Sequence, residues 1–142
     1  MCSLAMCKLL LENGIEPVMQ ISCRDRNKIA LQSDILGANA LGIRNILCIT
    51  GDSVKAGDQQ DAKAVHEFES VRLLQQIQAF NKGSDPTLGE LSDKKTFIFA
   101  GAAADPSCRN KRSLENRMRK KKEAGAGSVS YTHLTLPTIL RV

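Results

Sequence analysis

Between Val18 and Asp52 the chain alternates short apolar runs with abrupt polar stops. VMQIS gives way to CRDRN, a mixed stretch KIALQSDILGANALG follows, and IRNILCIT ends at GDS. The pattern predicts strand, loop, amphipathic helix, strand, loop. It then recurs. Gly14-Ile15-Glu16-Pro17 leads into Val18–Ser22, and 28 positions later Gly42-Ile43-Arg44-Asn45 leads into Ile46–Thr50. Each time a helix stops at glycine and a nearly continuous apolar strand begins, which predicts a parallel sheet with both faces buried. In parallel α/β proteins ligands collect where strands end. Chemistry is therefore expected at Gln20 to Asn27 and at Thr50 to Asp58.

The helix from about Lys28 to Leu41 offers Ile29, Ile35, Leu36, Ala40 and Leu41 as apolar contacts, with Asp25 or Asn27 as its N-cap. Glu69 and Ser70 open a second helix whose Val71, Leu74, Ile77 and Phe80 share a face, and Asn81-Lys82-Gly83 closes it. A polar loop spans Ser84 to Glu90. Thr96–Ala100 reads as the third strand, Gly101 to Pro106 as its small-residue exit, and Ser113 as the cap of a last helix that runs to Gly125. The opening residues read as a helix ending at Asn13-Gly14. Three βα units make an α/β chain, but too few for a closed eight-stranded barrel or a full doubly wound sheet. That leaves either a small α/β protein or a piece of a larger one. A start on a helix with no preceding strand favours the piece.

Composition narrows the classes. A 142-residue chain with 42% hydrophobic and 25% charged residues is ordinary for a soluble globular domain. With four Phe, one Tyr and no Trp it lacks the stacking platforms of single-strand nucleic-acid binders. The net charge of +5 is concentrated late: from Asp93 onward eleven Lys and Arg stand against four Asp and Glu. Any nucleic-acid reading would rest on that third alone. The five cysteines form no CxxC pair, and an odd count without a signal peptide fits a reducing cytoplasm better than a disulfide scaffold. The N-terminal apolar stretch is too short to span a membrane.

Among polar residues, Thr50-Gly51-Asp52 stands out because glycine admits close backbone approach to a ligand and a carboxylate can tune it. By itself the tripeptide is equally an Asp bonding its own loop. Cys23-Arg24-Asp25-Arg26-Asn27 reads first as a helix cap with solvated arginines. Gln20 interrupts an apolar strand, and a buried amide there requires partners. Arg117, Arg119, Lys120, Lys121 and Lys122 form a basic helix patch, ordinarily a solvated face. His66, in VHEFES, lacks a partner for metal binding or a triad. No P-loop, GxGxxG or nucleophile elbow occurs.

Together QISCRDRN, LQSDILGANALGIRNILCITGD, VHEFESVRLLQQI, FAGAAADP and KKKEAGA resemble the methylenetetrahydrofolate reductase family from about Leu9 to Gly125. The resemblance implies a fragment of a (β/α)8 TIM barrel, here with about three βα units and strands near 18–22, 46–50 and 96–100. It implies FAD as cofactor and NAD(P)H as co-substrate, with 5,10-methylenetetrahydrofolate reduced to 5-methyltetrahydrofolate. Asp52 matches the family aspartate near flavin and folate, as the catalytic position. Thr50 and Gly51 match its flavin-contacting neighbours. Gln20 falls where some members carry a flavin-contacting histidine, and His66 and Glu67 fall near a flavin-contacting segment. Asp105 falls where some members have a tyrosine beside the flavin, and Lys121 aligns with a basic residue near the flavin phosphates.

The family's first-strand glutamate and sixth-strand glutamine have no counterpart here, so the fragment is expected to be inactive and poorly stable alone. Residues 1–127 are taken as the partial barrel and 128–142 as a non-native tail. The reason is that Val129–Thr138, VSYTHLTLPT, resembles a translated transposase adapter from sequencing libraries. Tyr131 and His133 accordingly carry no functional weight. The resemblance further implies a cytoplasmic enzyme that binds neither nucleic acid nor membrane, with a homo-oligomer or an iron–sulfur or zinc partner subunit as the parent's associations. Two other classes stay open: a small basic RNA-binding α/β domain and another pterin-binding barrel such as a methyltransferase.

Overall fold

A computed structural model describes residues 1–85, 89–90 and 95–131 of the chain. Helix α1 (Ser3–Glu12) leads into β1 (Val18–Ser22), α2 (Lys28–Ala40), β2 (Asn45–Ile49) and α3 (Ser70–Asn81). A two-residue antiparallel pair, β3 (Ser84–Asp85) with β4 (Gly89–Glu90), comes before β5 (Phe99–Ala104), α4 (Lys111–Glu123) and β6 (Ser128–Tyr131). The main sheet runs β1-β2-β5-β6 and every pairing in it is parallel.

Order in space thus follows order in sequence, with a helix between each pair of neighbours. Right-handed crossovers then carry every connecting helix to the same face. Side-chain burial agrees. Met19, Ile21, Ile46, Cys48, Ala100 and Ala102 join one core with Leu31, Ile35, Leu74, Ile77 and Phe80 from the helices. On the opposite face Val18 is 60% and Phe99 53% exposed. The expectation of strands buried on both faces is corrected: among the described residues, helices cover one face only. A parallel sheet laid down in sequence order and covered on one side is compatible with an arc of a TIM barrel.

Three strands were expected, and among the described residues the main sheet has four. β1 falls where the pattern put it, and β2 starts one residue early. The third strand, expected at Thr96–Ala100, pairs instead over Phe99–Ala104. The reason is that side chains take the place of a neighbouring strand before it. Asn81 Oδ1 accepts from the Ile98 amide at 3.1 Å and from Thr96 Oγ1 at 2.6 Å, and its Nδ2 donates to the Ile98 carbonyl. Asn39 Oδ1 accepts from the Phe97 amide at 3.0 Å. Further on, the run Gly101-Ala102-Ala103-Ala104 looks like a loop by composition but is a strand by packing. A Cβ on Gly101 would lie 2.5 Å from Ser128 Oγ and 3.4 Å from Leu47 Cδ1, so the neighbours demand a small residue. The fourth strand, β6, pairs Gly101–Ala104 with Ser128–Tyr131 at the head of the segment set apart as a tail. The rest of that segment, His133 included, lies outside the described residues, as do residues 86–88 of the polar loop.

One cap is settled between two candidates and another is reassigned. Asn27, rather than Asp25, starts α2, its Oδ1 accepting from the Ala30 amide at 2.9 Å. That fixes the helix phase so that Leu31, Ile35 and Ala38 turn inward, while Ile29 is 74% exposed and Leu36 and Leu41 are exposed as well. Asn110 caps α4 by accepting from the Ser113 amide at 3.0 Å, so Ser113 is the capped residue and not the cap. On α3 the expected Leu74, Ile77 and Phe80 are buried, joined by Leu73.

Cys7, Cys23 and Cys48 all lie in the core with their thiols pushed up, and the last two are pushed far enough to carry a pH consequence. Burial, and then the charge of Glu69, push Cys23 up to about 11. Burial, and then Cys23, push Cys48 up to about 12, with Lys121 opposing. Both folded values exceed the ordinary thiol value of 9.0. The un-ionised thiols therefore contribute stability that is complete below that value and is lost as pH rises through the folded values. Urea titrations across the alkaline range should show stability falling along this limb, and the fall should be shallower in Cys23→Ala/Cys48→Ala. An identical limb in the double variant would refute the assignment.

Candidate functional site

The ends of β2 and β5 open onto one cleft. Beyond β2 the chain turns at Thr50-Gly51-Asp52. Gly51 has φ +93°, and a Cβ there would strike Ser22 Oγ and lie 2.7 Å from Arg24 Cβ. Glycine therefore lets the loop after β2 lie directly against the loop after β1. The Thr50 hydroxyl faces α3, accepting from the Ser70 amide at 3.3 Å and donating to Ser70 Oγ at 3.2 Å. It supplies a partner to the start of a helix whose N-cap residue, Glu69, makes no side-chain cap bond. Asp52 is exposed at the mouth.

Beyond β5, Asp105 folds its own loop: Oδ1 accepts from the Ser107 amide at 2.9 Å and from Ser107 Oγ at 2.6 Å. Helix α4 then runs back beside the sheet and brings Arg117 and Lys121 to the same opening. Thr50, Gly51, Asp52, Asp105, Arg117 and Lys121, with Ala103 and Ala104, line a cleft of about 250 Å³.

Charge in the cleft is arranged unevenly. Arg117 and Lys121 sit four residues apart on one helix face, a like-charge spacing that is unfavourable by itself. Lys121 is half-buried and donates from Nζ to the Ala103 carbonyl. Burial first, and the Arg117 charge next, hold its ammonium below the ordinary lysine value, while Cys48 acts the other way. Arg117 Nη2 donates to Cys108 Sγ at 3.0 Å. On the β1 side, Arg24 forms a bidentate pair with Asp25 through Nε at 2.6 Å and Nη2 at 3.0 Å. That hydrogen bond raises the Arg24 pKa most, with the charge of Asp52 a smaller contribution. Arg26 Nε reaches Asp34 of α2 at 2.8 Å. The arginines of CRDRN are thus paired rather than merely solvated.

Of the residues singled out from sequence, Thr50, Gly51, Asp52, Asp105 and Lys121 meet in this cleft. Gln20 does not line it. The expectation of a buried amide is corrected, because Gln20 is exposed on the uncovered face of β1, where it partners Leu47 in register. His66 and Glu67 are also elsewhere, at the end of the β2–α3 connection. There the Val65 and His66 amides donate to the Arg24 carbonyl at 2.7 and 3.4 Å. Glu67 Oε2 accepts from the Lys28 amide at 2.7 Å, supplementing the α2 cap. His66 has φ +44°, the positive value forced on it where the loop doubles back. The sequence reading put Arg117 only in the basic patch. Its spacing from Lys121 was the available signal. Among the described residues no group of three or more His, Cys, Asp or Glu is placed to hold a metal, and no helix is long and apolar enough to cross a membrane.

A family model described as methylenetetrahydrofolate reductase matches residues 1–134. The chain belongs to the methylenetetrahydrofolate reductase family. No curated protein matches the chain. The family match extends into β6 and takes in the whole cleft, including Asp52, Asp105, Arg117 and Lys121. Membership places the chain among the oxidoreductases of one-carbon metabolism that act on folates.

Proposed function

We propose that this chain supplies one wall of a flavin site in a methylenetetrahydrofolate reductase that uses NAD(P)H to convert 5,10-methylenetetrahydrofolate to 5-methyltetrahydrofolate. The carrying observation is the convergence of Asp52, Arg117 and Lys121 on a cleft at parallel strand ends in a chain of this family. The donor set suits FAD. Arg117 and Lys121 form a paired cationic edge for a diphosphate. The small residues Ala103 and Ala104 leave room beside it for a flat ring, and Gly51 brings backbone close. About 250 Å³ lies just under the roughly 300 Å³ at which small-molecule pockets begin. This wall would therefore hold only part of a dinucleotide, and the uncovered sheet face would complete the rest of the enclosure.

When bound, the flavin would supply hydride transfer between nicotinamide and folate. The protein groups do the rest. Arg117 and Lys121 would neutralise the diphosphate. Asp52 would place a negative charge at the mouth, where substrate cations and amines are oriented. Thr50 holds the strand end against α3, so that Gly51 and Asp52 keep their positions. Gln20, on the face that a closed barrel would turn inward, would belong to the enclosure that completes the site. His66 and Glu67 would act through the loops after β1 and β2 that they tie together. The five cysteines are free, in keeping with the cytoplasm as the site of action.

With one sheet face open, the chain by itself should bind FAD weakly and show no reductase turnover. Flavin fluorescence titration is expected to give saturable quenching that Lys121→Gln weakens by about tenfold, the loss of roughly one charge-assisted contact. Quenching that ignores both Lys121→Gln and Asp52→Asn would count against this cleft as the flavin site. Measurable turnover by the chain alone would contradict the expectation of inactivity.

A further inference from the structure

We propose that Lys121 is a carbonyl-reactive amine that forms an imine with small aldehydes bearing a phosphate or carboxylate. The inference rests on the cleft described above and not on flavin occupying it. Three features of the geometry lead to it. Lys121 lines the cleft, while the lysines on either side of it, Lys120 and Lys122, are exposed and do not line it. One N–H is already engaged by the Ala103 carbonyl. A neutral amine keeps that bond and leaves its lone pair free for attack. Arg117, one turn earlier on the same helix and lining the same cleft, gives a neighbouring cation to which the anionic group of the aldehyde can bind.

Electrostatics supports the chemistry. Burial and Arg117 disfavour the ammonium and so enlarge the nucleophilic fraction, against the smaller opposing influence of Cys48 from β2. Asp52 and Asp105, from the β2 and β5 ends, are the acidic side chains lining the cleft. In the reaction the nitrogen lone pair forms a bond to the carbonyl carbon, and the carbonyl π electrons move to oxygen. The oxygen takes up a proton, and the carbinolamine then loses water. Both amine hydrogens and the carbonyl oxygen leave in that water, and no oxidant or reductant is consumed.

The test uses the full chain and pyridoxal 5′-phosphate as probe, with borohydride reduction to fix adducts and peptide mass spectrometry to count them. Lys121 is expected to be labelled markedly faster than Lys120 or Lys122, because burial and the neighbouring Arg117 favour its neutral amine. Arg117→Gln should slow labelling by pyridoxal phosphate more than labelling by uncharged pyridoxal, which loses only the influence of Arg117 on the Lys121 amine and no anion contact. Even labelling across Lys120, Lys121 and Lys122 in the unsubstituted protein would overturn the proposal, and that comparison needs no variant to fold. Prior addition of FAD separates the two readings. Selective labelling that FAD does not slow would sustain the reactive lysine while rejecting flavin at this wall.

Discussion

Leu74→Ala should remove about 2–5 kcal/mol of folding stability, enough to leave the chain largely unfolded at ambient temperature. Leu74 is fully buried, and it lies at the centre of α3, the helix that packs over β2 and β5. Its loss removes the transfer energy of the side chain and leaves a void among Leu73, Ile77 and strand residues that are themselves fixed by the ladder. α3 cannot slide to fill that void. Its start is held by Thr50 and its end by Asn81, which is bonded to Ile98. Circular dichroism through a urea titration reads the effect directly. A midpoint unchanged from the parent would mean that the single core described here does not carry the fold. Leu36→Ala is the matched control: Leu36 is exposed on the outer side of α2, and its removal should shift the midpoint little.

Gly51→Ala should be nearly as damaging, and for a different reason. The positive φ of Gly51 costs an L-residue about 1–2 kcal/mol before any contact is considered. The added Cβ would then meet Ser22 Oγ and the Cβ of Arg24, and the second of these is not the free end of a flexible chain. Either the loop after β1 or the loop after β2 must give way. Together the two effects amount to about 2–4 kcal/mol. The displacement also moves Asp52 relative to Arg117 and Lys121, so flavin quenching should fall by more than the loss of folded protein explains. Comparing the quenching amplitude with the folded fraction at each urea concentration separates the two effects. If Gly51→Ala keeps both the parent midpoint and the parent quenching, the close approach of the two loops is not a feature of the protein in solution. Gly42 provides the contrast: it has φ +85°, but a Cβ there would meet nothing within 4 Å. Gly42→Ala should therefore incur only the conformational part.

Two kinds of misreading separate what the chain announces from what it conceals. The sequence pattern points to the third strand too early, because TFIFA is rich in β-formers whereas GAAA is not. Asparagine side chains at the ends of α2 and α3 occupy the backbone groups of Phe97 and Ile98, and the strand ladder begins only beyond them. No propensity of residues 96–104 encodes that. Gln20 is concealed in the same way. An amide in an apolar strand looks buried if both sheet faces are assumed covered, and here one face is open. The caps of α2 and α4 are each contested between nearby cap-forming residues, Asp25 with Asn27 and Asn110 with Ser113. Which oxygen meets which amide is decided by the helix phase that the core selects.

The basic C-terminal helix shows the same division. Composition identified a cationic patch, and the spacing of Arg117 and Lys121 put both on one face. Only the return of α4 alongside β5 carries these two into a cleft. There they face strand ends, while Lys120 and Lys122 stay outside. A patch that reads as uniformly solvated thus has two members with a distinct environment.

By itself the sequence determined the alternation of strand and helix, the polar stops at strand ends, the inward residues of α3 and the family to which the chain belongs. These depend on local periodicity, glycine stops and short motifs, all of which act within a few residues. The tertiary structure alone decided that helices cover one sheet face, that a fourth strand joins the sheet, and that Asp52 and Asp105 share a cleft with Arg117 and Lys121. Those facts arise between segments tens of residues apart, where crossover handedness and the fit of side chains across the sheet determine the outcome.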